Sequence, residues 1–193
     1  SMGVTVLPKA LANGLELISE FEVTGIKETS DLVRVFGKDA DDDNRIFRGK
    51  KLVLAGGAIG NSKLLLNSNF SNNSIGKNFF THPQFMSLGI YAEKGSFQSM
   101  KSDAPNFRIK SFKLENVFGP PVAISMLLPG IASRHLNYMK LITHMACIEV
   151  AVRDQNPGQI TTDSKGRLKI EKTLDERDQT TFDNGLSAIH DIF

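Results

Sequence analysis

The stretch Lys51-Leu52-Val53-Leu54-Ala55-Gly56-Gly57-Ala58-Ile59-Gly60-Asn61-Ser62-Lys63-Leu64-Leu65-Leu66 decides the reading of this chain. Residues 51–55 are apolar without alternation and are bounded by charge and glycine, which predicts a strand buried on both faces. The glycines turn the chain, and good helix formers follow Asn61 or Ser62 as a capping residue. A strand that ends in glycines and opens a helix lets backbone amides approach an anionic group at the positive helix end, where a Cβ would hold the ligand away. As a dinucleotide fingerprint the stretch is degenerate. It reads Ala55-x-Gly57-x-x-Gly60 with the first glycine replaced, and residues 67–92 contain no Asp or Glu to meet a ribose hydroxyl. From spacing alone, a phosphate cradle and a tight turn that needs small residues for packing both stay open.

Upstream, Leu15-Glu16-Leu17-Ile18 leads into Phe21-Glu22-Val23-Thr24-Gly25-Ile26, and Leu32–Phe36 is a further β-type run, so the first 55 residues read as strands between turns. Asp39–Asn44, with four aspartates in six residues, is an exposed hairpin tip without the alternating ligands, glycine and terminal Glu of a calcium loop. Downstream, the Asn/Ser/Gly-rich segment 67–78 is an irregular connection and a domain boundary. Beyond it, Phe85–Tyr91, Phe107–Leu114, Val122–Leu128 and Leu141–Val152 read as strands of a mostly antiparallel sheet. Helical spacing returns at the end, where Thr173 is a candidate cap and Phe182, Leu186, Ile189 and Phe193 share a face.

Composition narrows the function. The 193 residues carry 23 Lys+Arg against 21 Asp+Glu, a net charge of +2, which gives no electrostatic footprint for a nucleic-acid backbone. No run reaches the roughly 20 apolar residues of a membrane span. The longest uncharged run, Asn116–Ser133, is broken by prolines and glycines. One cysteine, Cys147, cannot form an internal disulfide or a multi-thiolate zinc site, and this favours a cytoplasmic location. The histidines at 82, 135, 144 and 190 show no metal-binding spacing. His82, before Pro83 and after the Asn-rich loop, sits where two domains would form a cleft. His144 reads as a sheet residue and Cys147 as a small core hydrophobe, and no nucleophile elbow is present.

The deciding stretch together with Ile75-Gly76-Lys77-Asn78-Phe79-Phe80-Thr81-His82-Pro83 resembles the central signature of the glucose-methanol-choline (GMC) flavoprotein oxidoreductases. Asn61 and Ser62 stand where Thr and Pro are common in that family, Asn69 replaces a Gly, and Thr81 replaces an Asp. These departures suggest a distant branch. Upstream, Val23-x-x-Ile26 is similar to the family strand whose backbone meets the flavin adenine, and the second half matches by pattern.

The resemblance implies an α+β fold. Residues 1–80 would form part of an FAD-binding α/β layer, and residues 81–193 a substrate-binding domain of mostly antiparallel sheet with a C-terminal helix. It implies FAD as cofactor, contacted by Val23, Ala55, Gly56, Gly57, Ala58, Asn78 and His82, and hydride transfer from a CH–OH group of an alcohol or sugar-like substrate. The family's amino-terminal GxGxxG and its catalytic His near the carboxyl terminus have no counterpart in this sequence. The chain is therefore expected to be the middle piece of a larger flavoenzyme, without catalytic residues or a metal of its own, inactive alone. Its partners would be the remaining segments of the parent, or other copies of itself, covering exposed apolar surface. Two other readings compete: a non-catalytic α+β interaction module of flavoprotein-like shape, and an NAD-type Rossmann enzyme, which the replaced glycine and the missing acid count against.

Overall fold

The computed structural model describes residues 2–92, 107–108, 111–117 and 119–193. Ile109 and Lys110, within the expected strand Phe107–Leu114, lie outside the described residues. In chain order, a π-helical turn Met2–Val6 runs into α1 (Leu7–Ala12), followed by β1 (Glu22–Glu28), β2 (Val33–Lys38), β3 (Asn44–Gly49) and α2 (Gly57–Asn67). Then come β4 (Gln84–Ile90), β5 (Phe107–Arg108), β6 (Phe112–Asn116), α3 (Pro121–Leu127) and α4 (Ala132–Lys140). The chain finishes with β7 (Met145–Val152), β8 (Gln159–Thr162), β9 (Leu168–Glu171) and α5 (Glu176–His190). All strand pairings are antiparallel, in sheets ordered β1-β2-β3, β4-β7-β6-β5 and β8-β9, so the class is α+β with a C-terminal helix. The chain divides into two compact units: residues 1–79 with 159–171, and residues 80–158 with 172–193.

In the first unit, β1-β2-β3 is a meander whose β2–β3 tip is the expected acidic turn. There Asp39 Oδ1 accepts from the amides of Asp41 and Asp43, and its Oδ2 accepts from Arg45. The α2 helix is tied to β1 through Ser68, whose hydroxyl accepts from the buried Ile26 amide at 2.9 Å and donates to Leu64 O at 2.6 Å. The β8–β9 hairpin packs on α2. Ile160 N donates to Gly76 O at 2.7 Å, and Asn67 Nδ2 donates to Gly166 O at 3.1 Å. Among the described residues of this unit, Ile26 and Ile160 are the buried apolar side chains.

The second unit has the larger core. One face of its sheet buries Phe112, Leu114, Val150 and Val152 under Ile189 of α5, with Phe85 and Phe182 at the margin. Helix α5 comes close because position 185 is glycine: a Cβ there would press on the Val150 side chain. A second cluster, Ile124, Leu128 and Met145, joins α3 to the sheet, with Leu88 and Tyr138 against it. Helix α5 starts in a reciprocal capping box. Asp175 accepts from Asp178 N, and the buried Asp178 carboxylate accepts from the amides of Asp175 and Gln155.

Several expectations need correction. Residues 51–55 are not a buried strand: they pair with no strand among the described residues, and Val53 is 86% exposed. An apolar run becomes a buried strand only when a ladder and covering layers meet it, and the meander ends at Gly49. Leu15–Ile18 forms no element, while residues 2–12 are helical. The expected strand Val122–Leu128 is helical as far as Leu127, with Leu128 its extended C-cap, because Pro121 suits a first helical turn and Ile124 and Leu128, four residues apart, both reach the Met145 cluster. Residues 132–140 are helical too, and His144 ends a 3₁₀ turn with Nδ1 3.2 Å from Tyr91 O. The cap of α5 is Asp175, not Thr173, and α2 begins at Gly57, ahead of Asn61.

Cys147 is a core side chain, 3% exposed, as its apolar neighbours suggested. Burial, with Glu149 nearby, pushes its thiol up to about 11. Because the thiolate is the nucleophile, modification by a thiol reagent at pH 8 should be on the order of a hundredfold slower in folded than in urea-unfolded protein. Equal rates in the two states would contradict this burial.

Candidate functional site

The glycine turn forms one wall of a cleft of about 530 Å³ in the first unit, lined by Val23, Ile26, Leu54, Ala55, Gly56 and Gly60 among others. That volume lies within the usual range for small-molecule sites, and the lining is mainly apolar. Gly56 is the N-cap of α2 and has no side chain to cap it, so among the described residues the first-turn amides of Gly57 and Ala58 have no side-chain cap. Gly57 has φ +70°, and a Cβ at Gly57 or Gly60 would meet no atom within 4 Å. Asn61 holds the turn from inside. Its Oδ1 accepts from Gly56 N at 2.8 Å, and its Nδ2 donates to Leu54 O at 3.4 Å.

The structure thus brings Val23, Ala55 and Gly56 to one cleft, with Gly57 and Ala58 in the adjoining first turn of α2. Asn78 belongs to the first unit with φ +56°, a left-handed conformation that Asn tolerates better than most residues. It does not line this cleft. His82 belongs to the second unit, where it lines a separate hollow with Phe80, Thr81, Arg153 and Asp154.

Three of the sequence departures have local physical reasons. Asn61 makes the two bonds across the turn. Asn69 occupies the left-handed position after α2, φ +58°, closing a Schellman motif in which Asn69 N and Phe70 N donate to Leu66 O and Leu65 O. Thr81 donates its amide and its hydroxyl to Asp154 Oδ2 at 2.8 and 3.0 Å, where an aspartate would oppose like charge.

Sequence reasoning missed Asp154. Its side chain is fully buried, with Oδ1 accepting from Lys172 Nζ and Asn156 N, both at 3.0 Å. Burial pushes its carboxyl upward, but the bonds from Thr81, Lys172 and Asn156 outweigh that and hold it below the ordinary aspartate value. No local motif marks it, because Thr81, Asp154 and Lys172 are far apart in sequence. Glu149 was also unmarked. It faces Glu115 directly across the β6–β7 ladder, and burial followed by Glu115 raises its carboxyl against the opposing influence of His82 and Lys113. Among the described residues no group of three His, Cys, Asp or Glu is placed to hold a metal ion, and no helix is long and apolar enough to cross a membrane.

No curated protein matches the chain. Residues 1–84, which include the meander, the glycine turn, α2 and the loop through His82, match the family model of the GMC oxidoreductases. Over these residues, somewhat under half of the chain, the sequence is similar to the GMC oxidoreductases, which are flavin-dependent.

Proposed function

We propose that the chain is part of an FAD-dependent oxidoreductase that oxidises a CH–OH group of an alcohol or sugar-like donor, and that the cleft over the glycine turn holds part of the FAD. The observation that carries this reading is the cleft itself: a mainly apolar hollow at an uncapped helix start, built, apart from Gly166, by residues inside the stretch that matches the family model. These residues fit such a group. Open space beside Gly57 and Gly60 admits a ligand that any larger side chain would displace. The amides of α2's first turn suit a phosphate, while Val23 and Leu54 offer apolar surface to a ring. Bound flavin would supply the hydride acceptor. The chain's own first-unit residues would bind and orient it, with Ala55 and Gly56 forming the wall.

The first unit buries little apolar surface and leaves Val53, Leu17 and Ile46 more than half exposed. We assign this surface to the remaining segments of the parent flavoenzyme or to self-association, and expect the chain alone to be inactive.

The test is an FAD titration of the purified chain followed by flavin fluorescence, beside Gly60→Leu. That substitution raises helix propensity by roughly 0.8 kcal/mol and meets no protein atom near its Cβ, yet its side chain would enter the cleft. Saturable binding weakened at least tenfold in Gly60→Leu is the expected result. Absence of FAD binding to the chain, or equal binding by both proteins, would overturn the assignment of this cleft.

A further inference from the structure

The second unit carries a hollow that the flavin reading does not use. Two adjoining depressions of about 350 and 480 Å³ share Phe80, Arg153 and Asp154, and the larger also takes in Ser111, Gln155 and Arg177. Arg153 follows the end of β7, where its amide donates to Ser111 O at 2.9 Å and fixes the backbone beside the hollow. Its exposed guanidinium makes no ion pair among the described residues. The adjacent carboxylate cannot serve it, because Asp154 is buried and engaged by Lys172, Thr81 and Asn156. Arg177 binds Asp175 through Nε and Nη2, leaving Nη1 outside that pair. Asp178 is buried and accepts from two backbone amides.

Asp154, Asp175 and Asp178 therefore each have their own donors, while the hollow is edged by one unpaired guanidinium, the free edge of a second, a serine hydroxyl and a glutamine amide, beside the half-exposed Phe80 ring. This excess of donors suits an anion. A guanidinium fork matches the two oxygens of a phosphate or carboxylate, and an aromatic wall favours one attached to an organic group.

We propose that the Arg153 hollow of the second unit is a binding site for a small-molecule oxyanion, a phosphate or carboxylate group. The site lies wholly within the second unit and does not depend on whether the first unit holds FAD.

Calorimetric titration of the full chain at low ionic strength, with inorganic phosphate in one arm and acetate in the other, tests the proposal and distinguishes the two chemistries. Saturable binding of at least one anion, weakened tenfold or more in Arg153→Gln, is expected. Ser111→Leu, which fills the hollow from the neighbouring segment, should weaken binding comparably and covers the case in which Arg153→Gln fails to fold. Binding of neither anion to the wild-type chain, or binding unchanged in a folded variant, would overturn the proposal.

Discussion

Asp154→Ala should lower the stability of the second unit by about 3–5 kcal/mol, the usual consequence of removing one member of a buried ion pair. The Lys172 side chain is 12% exposed and would keep only the carbonyls of Asn156 and Thr173 as acceptors. The amides of Thr81 and Asn156 would lose theirs as well. Asp154→Asn keeps the shape but not the charge and should cost less. The pH dependence has a definite sign. Because the folded-state carboxyl lies below its ordinary value of 3.8, its stabilisation is fully present above that value and is lost as pH falls through the lowered folded value. The stability gap between wild type and Asp154→Asn should be flat near neutrality and close in acid. Both tyrosines, Tyr91 and Tyr138, lie in the second unit and the chain has no tryptophan, so tyrosine emission during urea unfolding reads this unit selectively. A loss below about 1 kcal/mol in Asp154→Ala would show the pair to be dispensable.

Gly76→Ala should be similarly costly in the first unit. Gly76 has φ +75°, where a side chain costs roughly 1–2 kcal/mol, and its Cβ would collide with Ile160 O, a backbone atom that no rotamer change can move aside. The same change would disturb the 2.7 Å bond from Ile160 N to Gly76 O. We expect a total of about 3 kcal/mol or more, with the β8–β9 hairpin released from α2. Gly14→Ala is the control. Its φ is +90° but its Cβ would meet nothing within 4 Å, so it carries only the conformational part. Hydrogen exchange at the Ile160 amide is the appropriate readout, since this unit contains no tyrosine. Equal effects of the two substitutions would mean that the contact with Ile160 contributes nothing.

What the sequence made legible was local. Strands β1 and β2, the acidic hairpin tip, the glycine turn, α2 and α5 all follow from spacing, turn residues and caps lying within a few positions of one another. The errors share a different cause. Lys51–Ala55 has the composition of a buried strand, but burial is conferred by partners, and the described residues offer none. Val122 and Ile124 favour strands by propensity, yet Pro121 and the Met145 cluster make their segment a helix. The wall of the candidate cleft was readable because Ala55 to Gly60 are contiguous. Asp154 and the Arg153 hollow were not, because each gathers residues from segments far apart, and nothing in the identity of an aspartate or an arginine reveals what faces it.

The return of residues 159–171 to the first unit limits where this protein can be divided. The chain passes between its units after residues 79, 158 and 171, so neither unit is one continuous segment. A gene truncated at residue 84, the end of the family match, would encode the glycine turn and α2 without the hairpin that supplies partners to Gly76 O and the Asn67 amide. Domain-swap chimeras should therefore carry both pieces of the first unit, and grafting residues 1–84 alone onto another protein would transplant an unfinished module.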